Sequence, residues 1–169
     1  MTISLYDASV PVYRQMLGSL SMILEKAALH AQTRGFDAAV LLGARLYPDM
    51  FPLAQQVRIA TDSARLATSR LSGVAAPKFE DDEKTIDELR ARIAATLAFI
   101  EGVPRGAIDG QEEREVSFPV RDRTMNFKAQ PYLLHWALPN FFFHVTTAYD
   151  ILRHNGVELG KRDYLGKFE

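Results

Sequence analysis

The sequence predicts an all-α protein built as a four-helix bundle, with a long crossover between helices two and three and a small β-hairpin before the fourth. Three observations carry this reading. Apolar residues recur at helical spacing in four segments, a proline- and acid-bearing stretch separates the second from the third, and alternation typical of strands appears once, between residues 115 and 127. Stripes spaced by three and four mark helices that each bury one face, and four such faces close on a shared core.

In the first helix Tyr6, Val10, Tyr13, Leu17, Leu20 and Leu24 form the seam. Ser4 with Asp7 resembles a capping box, Pro11 should kink the helix or shorten its opening turn, and Arg34-Gly35 ends it. Phe36 to Leu46 reads as a short apolar connector with room for one helical turn. The second helix is expected to open at Tyr47-Pro48-Asp49-Met50. It carries Leu53, Val57, Ala60, Ala64, Ala67 and Leu71, with Arg58 and Arg65 as a solvated basic face. Ser72 to Lys84, with Gly73, Pro77 and the acids from Glu80 to Glu83, reads as a solvated crossover loop.

The third helix begins at Thr85, whose capping box is completed by Glu88, and buries Ile86, Leu89, Ile93, Leu97 and Ile100. Residues 102–106 form a turn. Glu115 to Val120 and Thr124 to Phe127 flank Arg121-Asp122-Arg123 as a hairpin, with Pro119 on an edge. The fourth helix spans roughly Pro131 to Asn155, interrupted or kinked at Pro139, with Leu138, Phe142, Val145, Tyr149 and Leu152 as its seam. Gly156 stops it. The tail beyond is polar, anchored by Leu159, Tyr164, Leu165 and Phe168.

The bulk numbers bound the function. A chain of 169 residues, 47% hydrophobic and 24% charged, suits one domain over residues 1–169. Net charge is −1 with 20 basic residues scattered, which argues against nucleic acid as a partner. The absence of cysteine excludes disulfides and thiolate chemistry. Residues 1–7 lack the pattern of a signal peptide, and no apolar run approaches the ~20 residues of a membrane span. These features predict a soluble cytoplasmic protein. No Gly-x-Ser-x-Gly elbow or phosphate-cradling glycine loop is present.

The candidate site lies in the segment from Trp136 to Gly156. Asn140 and His144 are four apart and share a helical face, and Phe141, Phe142 and Phe143 place that face beside an apolar core. Of the four histidines, no pair has the spacing of three or four that lets two imidazoles share an ion on one helix; His30 reads as a surface residue. Gln56 sits beside the seam of the second helix, where an inward polar group needs a partner. Gln56, Asn140 and His144 thus form a candidate cluster. Asp49, seven residues before Gln56, is either a rim acid or the N-cap of the second helix, while Asp62 and Asp150 point elsewhere. The aromatic run covers more than one face, so a second face should meet the hairpin or a second subunit. Three uses stay open: a divalent metal, a metal-free pocket for a small polar ligand, or a satisfied structural network.

The motifs Arg45-Leu46-Tyr47-Pro48-Asp49-Met50-Phe51, Pro52 to Val57, Leu138 to His144 and Thr146 to Gly156, with Lys161 to Gly166, resemble an uncharacterised bacterial family of the DinB/YfiT-like superfamily of metalloenzymes. The resemblance implies a four-helix bundle with a long crossover, often a homodimer. It also implies a metal held by one histidine on the second helix and a His-x-x-x-His pair on the fourth. Carried over, the second histidine of the pair is His144, the first falls on Asn140, and the second-helix position falls on Gln56, with Gln55 the alternative. The biochemical role is unassigned: a diverged metal-dependent enzyme, or a non-catalytic ligand-binding or stress-response module without metal.

Overall fold

The computed structural model describes residues 3–166. In chain order its helices are α1 (Val10–Arg34), α2 (Ala39–Leu42), α3 (Leu53–Ser72), α4 (Ile86–Gly102), α5 (Ala129–Tyr132), α6 (Leu138–His154) and α7 (Lys161–Leu165). An antiparallel hairpin, β1 (Glu115–Val120) with β2 (Arg123–Lys128), precedes α5. The four long helices share one core: α3 packs most extensively on α6, α1 on α4, and α4 on α3. Each seam residue expected in the first three helices is buried except Tyr6 and Leu97, which are half-buried. Ala60, Ala64 and Ala67 are fully buried, and their small side chains let α3 approach its neighbours closely.

Several boundaries move for identifiable reasons. Pro11 sits in the first turn of α1, where its missing N–H would be unpaired anyway, so it sets the start at Val10 without a kink. Ser4 and Asp7 do bond reciprocally, but around the turn preceding α1. Residues 47–50 form a separate turn closed by Met50 N–H donating to the Tyr47 carbonyl, and α3 starts only after Pro52. Pro52 keeps Phe51 out of the helical region, so the helix cannot extend back through it. Asp49 is therefore not the N-cap; Pro52 holds that position. Thr85 and Glu88 complete their capping box as expected.

The fourth helical segment is built in three pieces. After α5, residues 133–137 wind as a π-turn, and α6 follows with Pro139 in its first turn. Proline at 139 deprives the His135 carbonyl of its ordinary donor, and the wider turn absorbs the mismatch. The tail folds into α7, held on α1 by Gln15 donating to the Leu165 carbonyl and by Lys26 with Asp163. Phe168 lies outside the described residues.

The largest correction concerns residues 73–84. Arg92 on α4, 4% exposed, donates to Thr61 Oγ1 at 2.7 Å, Asp81 Oδ1 at 2.7 Å, Glu83 Oε1 at 2.9 Å and Asp62 Oδ1 at 2.8 Å. Arg58 binds Glu83 through both its carboxylate and its carbonyl. Arg65 binds Asp62 and the Pro77 carbonyl, and the Phe79 ring lies against both Arg65 and Arg92. Asp81 takes a left-handed φ of 57°, which Asp tolerates better than most residues and which folds the strap back onto Arg92. Arg58 and Arg65 are thus buried or half-buried clamps rather than a solvated face. The acids divide: Glu80 to Asp82 stay exposed while Glu83 turns inward.

Candidate functional site

The antiparallel packing of α3 on α6 sets Gln56 against His144, both pointing inward at 1% and 8% exposure. Gln56 Nε2 donates to the Phe51 carbonyl at 3.0 Å, so its Oε1 faces the imidazole Nδ1 at 2.7 Å. An amide oxygen only accepts, so Nδ1 carries the ring proton and Nε2 keeps its lone pair. Burial lowers the His144 pKa from 6.5 to about 4, making the ring neutral near pH 7. No donor among the described residues reaches Nε2. The pair is therefore a neutral imidazole of fixed tautomer with one free acceptor. The structure places Gln56, and not the half-buried Gln55, in this role.

Asn140 lies one turn before His144 and is half-buried, with Nδ2 donating to the Trp136 carbonyl at 3.1 Å. It lines a groove of about 190 Å³ that runs along α3 and the π-turn, rather than contacting Gln56 or His144 by hydrogen bond. Asp49 is exposed in the 47–50 turn, two residues before the carbonyl that holds Gln56. Asp150 is exposed, and Asp62 is committed to Arg65 and Arg92. Phe141 is fully buried edge-on to Tyr13 at 4.8 Å, and Phe142 packs against the core. Phe143 is 55% exposed with its ring edge-on to His144 at 5.2 Å, so the hairpin does not take it up. The hairpin instead offers Phe118 and Phe127 to Tyr132 and Trp136.

These donors do not fit a three-ligand metal centre. His144 supplies the one imidazole nitrogen; the Gln56 oxygen accepts the ring proton, and Asn140 spends Nδ2 on backbone, leaving only amide oxygens beside it. Amide oxygens are in any case weak ligands for zinc or nickel. Among the described residues no three His, Asp, Glu or Cys side chains converge where an ion could be held.

The model of the family described as "Domain of unknown function (DUF1993)" matches residues 5–165. The chain belongs to that family. A crystal structure of a DinB family member protein from Shewanella denitrificans superposes with a TM-score of 0.90 and 41% identity, covering 97% of this chain and 93% of that one. The helix-rich fold with its small hairpin is thus DinB-like. No curated protein matches the chain. In this DUF1993 chain Arg70 and Tyr132, to which the sequence assigns no role, and Trp136, which only bounds the candidate segment, line the same groove as Asn140. The spacing of 132, 136 and 140 was available as a same-face signal. Arg70 offered none, because its partner Phe118 lies on the hairpin.

Among the described residues no helix is long and apolar enough to cross a membrane.

Proposed function

We propose that the chain is a non-catalytic module that binds a small polar ligand without metal, in a pocket formed by Gln56, Asn140 and His144 with Asp49 on its rim. The proposal reads the four long helices as a four-helix bundle, with residues 73–84 as its crossover, in a cytoplasmic protein. One observation carries it. The Gln56 amide fixes the His144 ring so that a neutral Nε2 is left as an acceptor for a ligand N–H or O–H. A donor-bearing ligand that replaces water at this nitrogen gains the ~0.5–1.5 kcal/mol typical of a net hydrogen bond.

The competing reading is a diverged metal-dependent enzyme with His144 anchoring a divalent ion. It is favoured by the same hydrogen bond, since metal-bound histidines are commonly oriented by an acceptor on the other ring nitrogen. It needs further ligands that Gln56 and Asn140 do not readily supply. A homodimer is proposed on the exposed aromatic surface of Tyr47, Phe51 and Phe143, beside the Gln56–His144 pair. Light scattering that gives a monomer at micromolar concentration would remove that part.

The test combines elemental analysis of untagged protein, before and after incubation with zinc and nickel, with melting curves in urea-free amide, polyol and nucleobase panels. The expected outcome is no stoichiometric metal and a rise in melting temperature with at least one donor-bearing compound, lost in His144→Ala. Stoichiometric metal that disappears in His144→Ala would overturn the proposal in favour of the enzyme. A folded, metal-free protein that no compound stabilises would reduce the cluster to a structural network.

A further inference from the structure

The groove that Asn140 lines continues to the far end of α3, about four turns or ~20 Å beyond Gln56 at 1.5 Å per residue. Its walls are Ile59, Leu66, Ala137 and the indole of Trp136; its polar end is Arg70 with Tyr132. Arg70 lies with its guanidinium 4.1 Å from the centre of the Phe118 ring and donates one bond, at 2.9 Å, to Tyr132 Oη. Arg58, Arg65, Arg90, Arg92 and Arg105 each have a carboxylate partner, whereas Arg70 has none among the described residues. A guanidinium has five N–H donors, so most of this one's capacity is unspent.

Tyr132 is the second half of the feature. Its residue is 1% exposed, and its oxygen accepts from Arg70 while its own proton has no acceptor among the described residues. A buried hydroxyl normally spends that proton. The one acid in the groove wall, Asp62, is neutralised by Arg65 and Arg92 and sits about two turns away from Arg70. We propose that this groove binds a small carboxylate with an apolar body, its oxygens taken by Arg70 and Tyr132 and its body laid along Trp136 and Leu66. A carboxylate matches the planar fork of a guanidinium and carries the single negative charge that one cation balances. A phosphate dianion would bring more charge than this end neutralises. The volume, about 190 Å³, holds roughly six waters at ~30 Å³ each, which suits a compact acid such as benzoate.

Trp136 is the chain's single tryptophan, so its fluorescence reports the groove directly. The experiment titrates the full chain with benzoate, benzyl alcohol and inorganic phosphate at one ionic strength, following Trp136 emission. Benzoate should give a saturable change, with benzyl alcohol and phosphate weaker by roughly tenfold or more, the worth of a charge-assisted hydrogen bond. Arg70→Met should lose benzoate by a similar factor. Because Arg70 packs on Phe118, circular dichroism checks its fold. Tyr132→Phe, which keeps the ring packing, and Ser63→Leu, which fills the groove, carry the test if Arg70→Met does not fold. The proposal is overturned by no saturation up to the solubility of benzoate, by equal binding of benzyl alcohol, or by folded variants that bind as the parent does. Asp150→Asn, on the exposed face of α6, should leave benzoate binding unchanged.

Discussion

Replacing Arg92 with Met removes four hydrogen bonds from one buried side chain while keeping most of its apolar stem. Taking away one partner of a buried ion pair costs ~3–5 kcal/mol when the other charge is left stranded. Here the acids are not fully stranded. Asp62 keeps Arg65 at 2.7 Å, Glu83 keeps Arg58 at 2.7 Å, and the Asp81 side chain is 49% exposed. The expected loss is therefore ~2–4 kcal/mol, or roughly 10 °C in melting temperature at ~2–4 °C per kcal/mol for a chain of this size. The assay is urea and thermal unfolding by circular dichroism, with limited proteolysis of residues 73–84 as a second readout, since the strap should open. Arg90→Met on the same helix is the control. Its half-exposed pair with Glu25, at 3.3 Å, should be worth no more than ~1 kcal/mol. The pH dependence follows with its sign. Burial alone would raise the Glu83 pKa, but hydrogen bonds from Arg92, its own backbone and Arg58 outweigh it and hold the carboxyl below its ordinary 4.5. A depressed carboxylate contributes stability above the unfolded value, and that stability is lost as pH falls below about 4.5 toward the folded value. Arg92→Met should flatten this acid-side loss. If it costs no more than Arg90→Met and leaves the strap resistant to protease, the clamp is not what holds residues 73–84.

Two further outcomes test the site and the fold. The His144 ring should remain neutral from pH 8 to 5 in an NMR titration, with a midpoint near 4 and a proton on Nδ1. Because its folded pKa is depressed, the unfolded chain binds the proton first. Stability should therefore be full above about 6.5 and fall as pH drops toward 4, with His144→Gln losing that slope; a midpoint above 6 refutes the burial argument. Thr85→Ala removes the side-chain half of the α4 capping box and should cost ~1 kcal/mol by urea unfolding, with no effect on ligand or metal measurements.

Periodicity made the helices legible because a stripe of apolar residues has one low-energy use in water, the burial of that face. Thr85 with Glu88 fixed the start of α4 by purely local bonds, and Pro139 announced a break because its missing N–H is a property of the residue itself. The spacing of Asn140 and His144 likewise put both on one helix face. What the chain order could not convey is which side chains from different elements meet. Asn140 and His144 diverge in use because the π-turn and α3 give one a backbone carbonyl and the other Gln56. The acids of residues 80–83 look solvated until Arg92, contributed by the next helix, is seen to reach them. Arg70 looks like any surface arginine until the hairpin lays Phe118 beneath it. Local backbone chemistry and the period of the apolar pattern suffice to place the long helices, the break at Pro139 and the neighbourhood of His144. The tautomer and charge of His144, the clamp on residues 73–84 and a groove cation with no carboxylate partner among the described residues emerge only from packing. Each of these depends on desolvation and on partners tens of residues away, which no local pattern encodes.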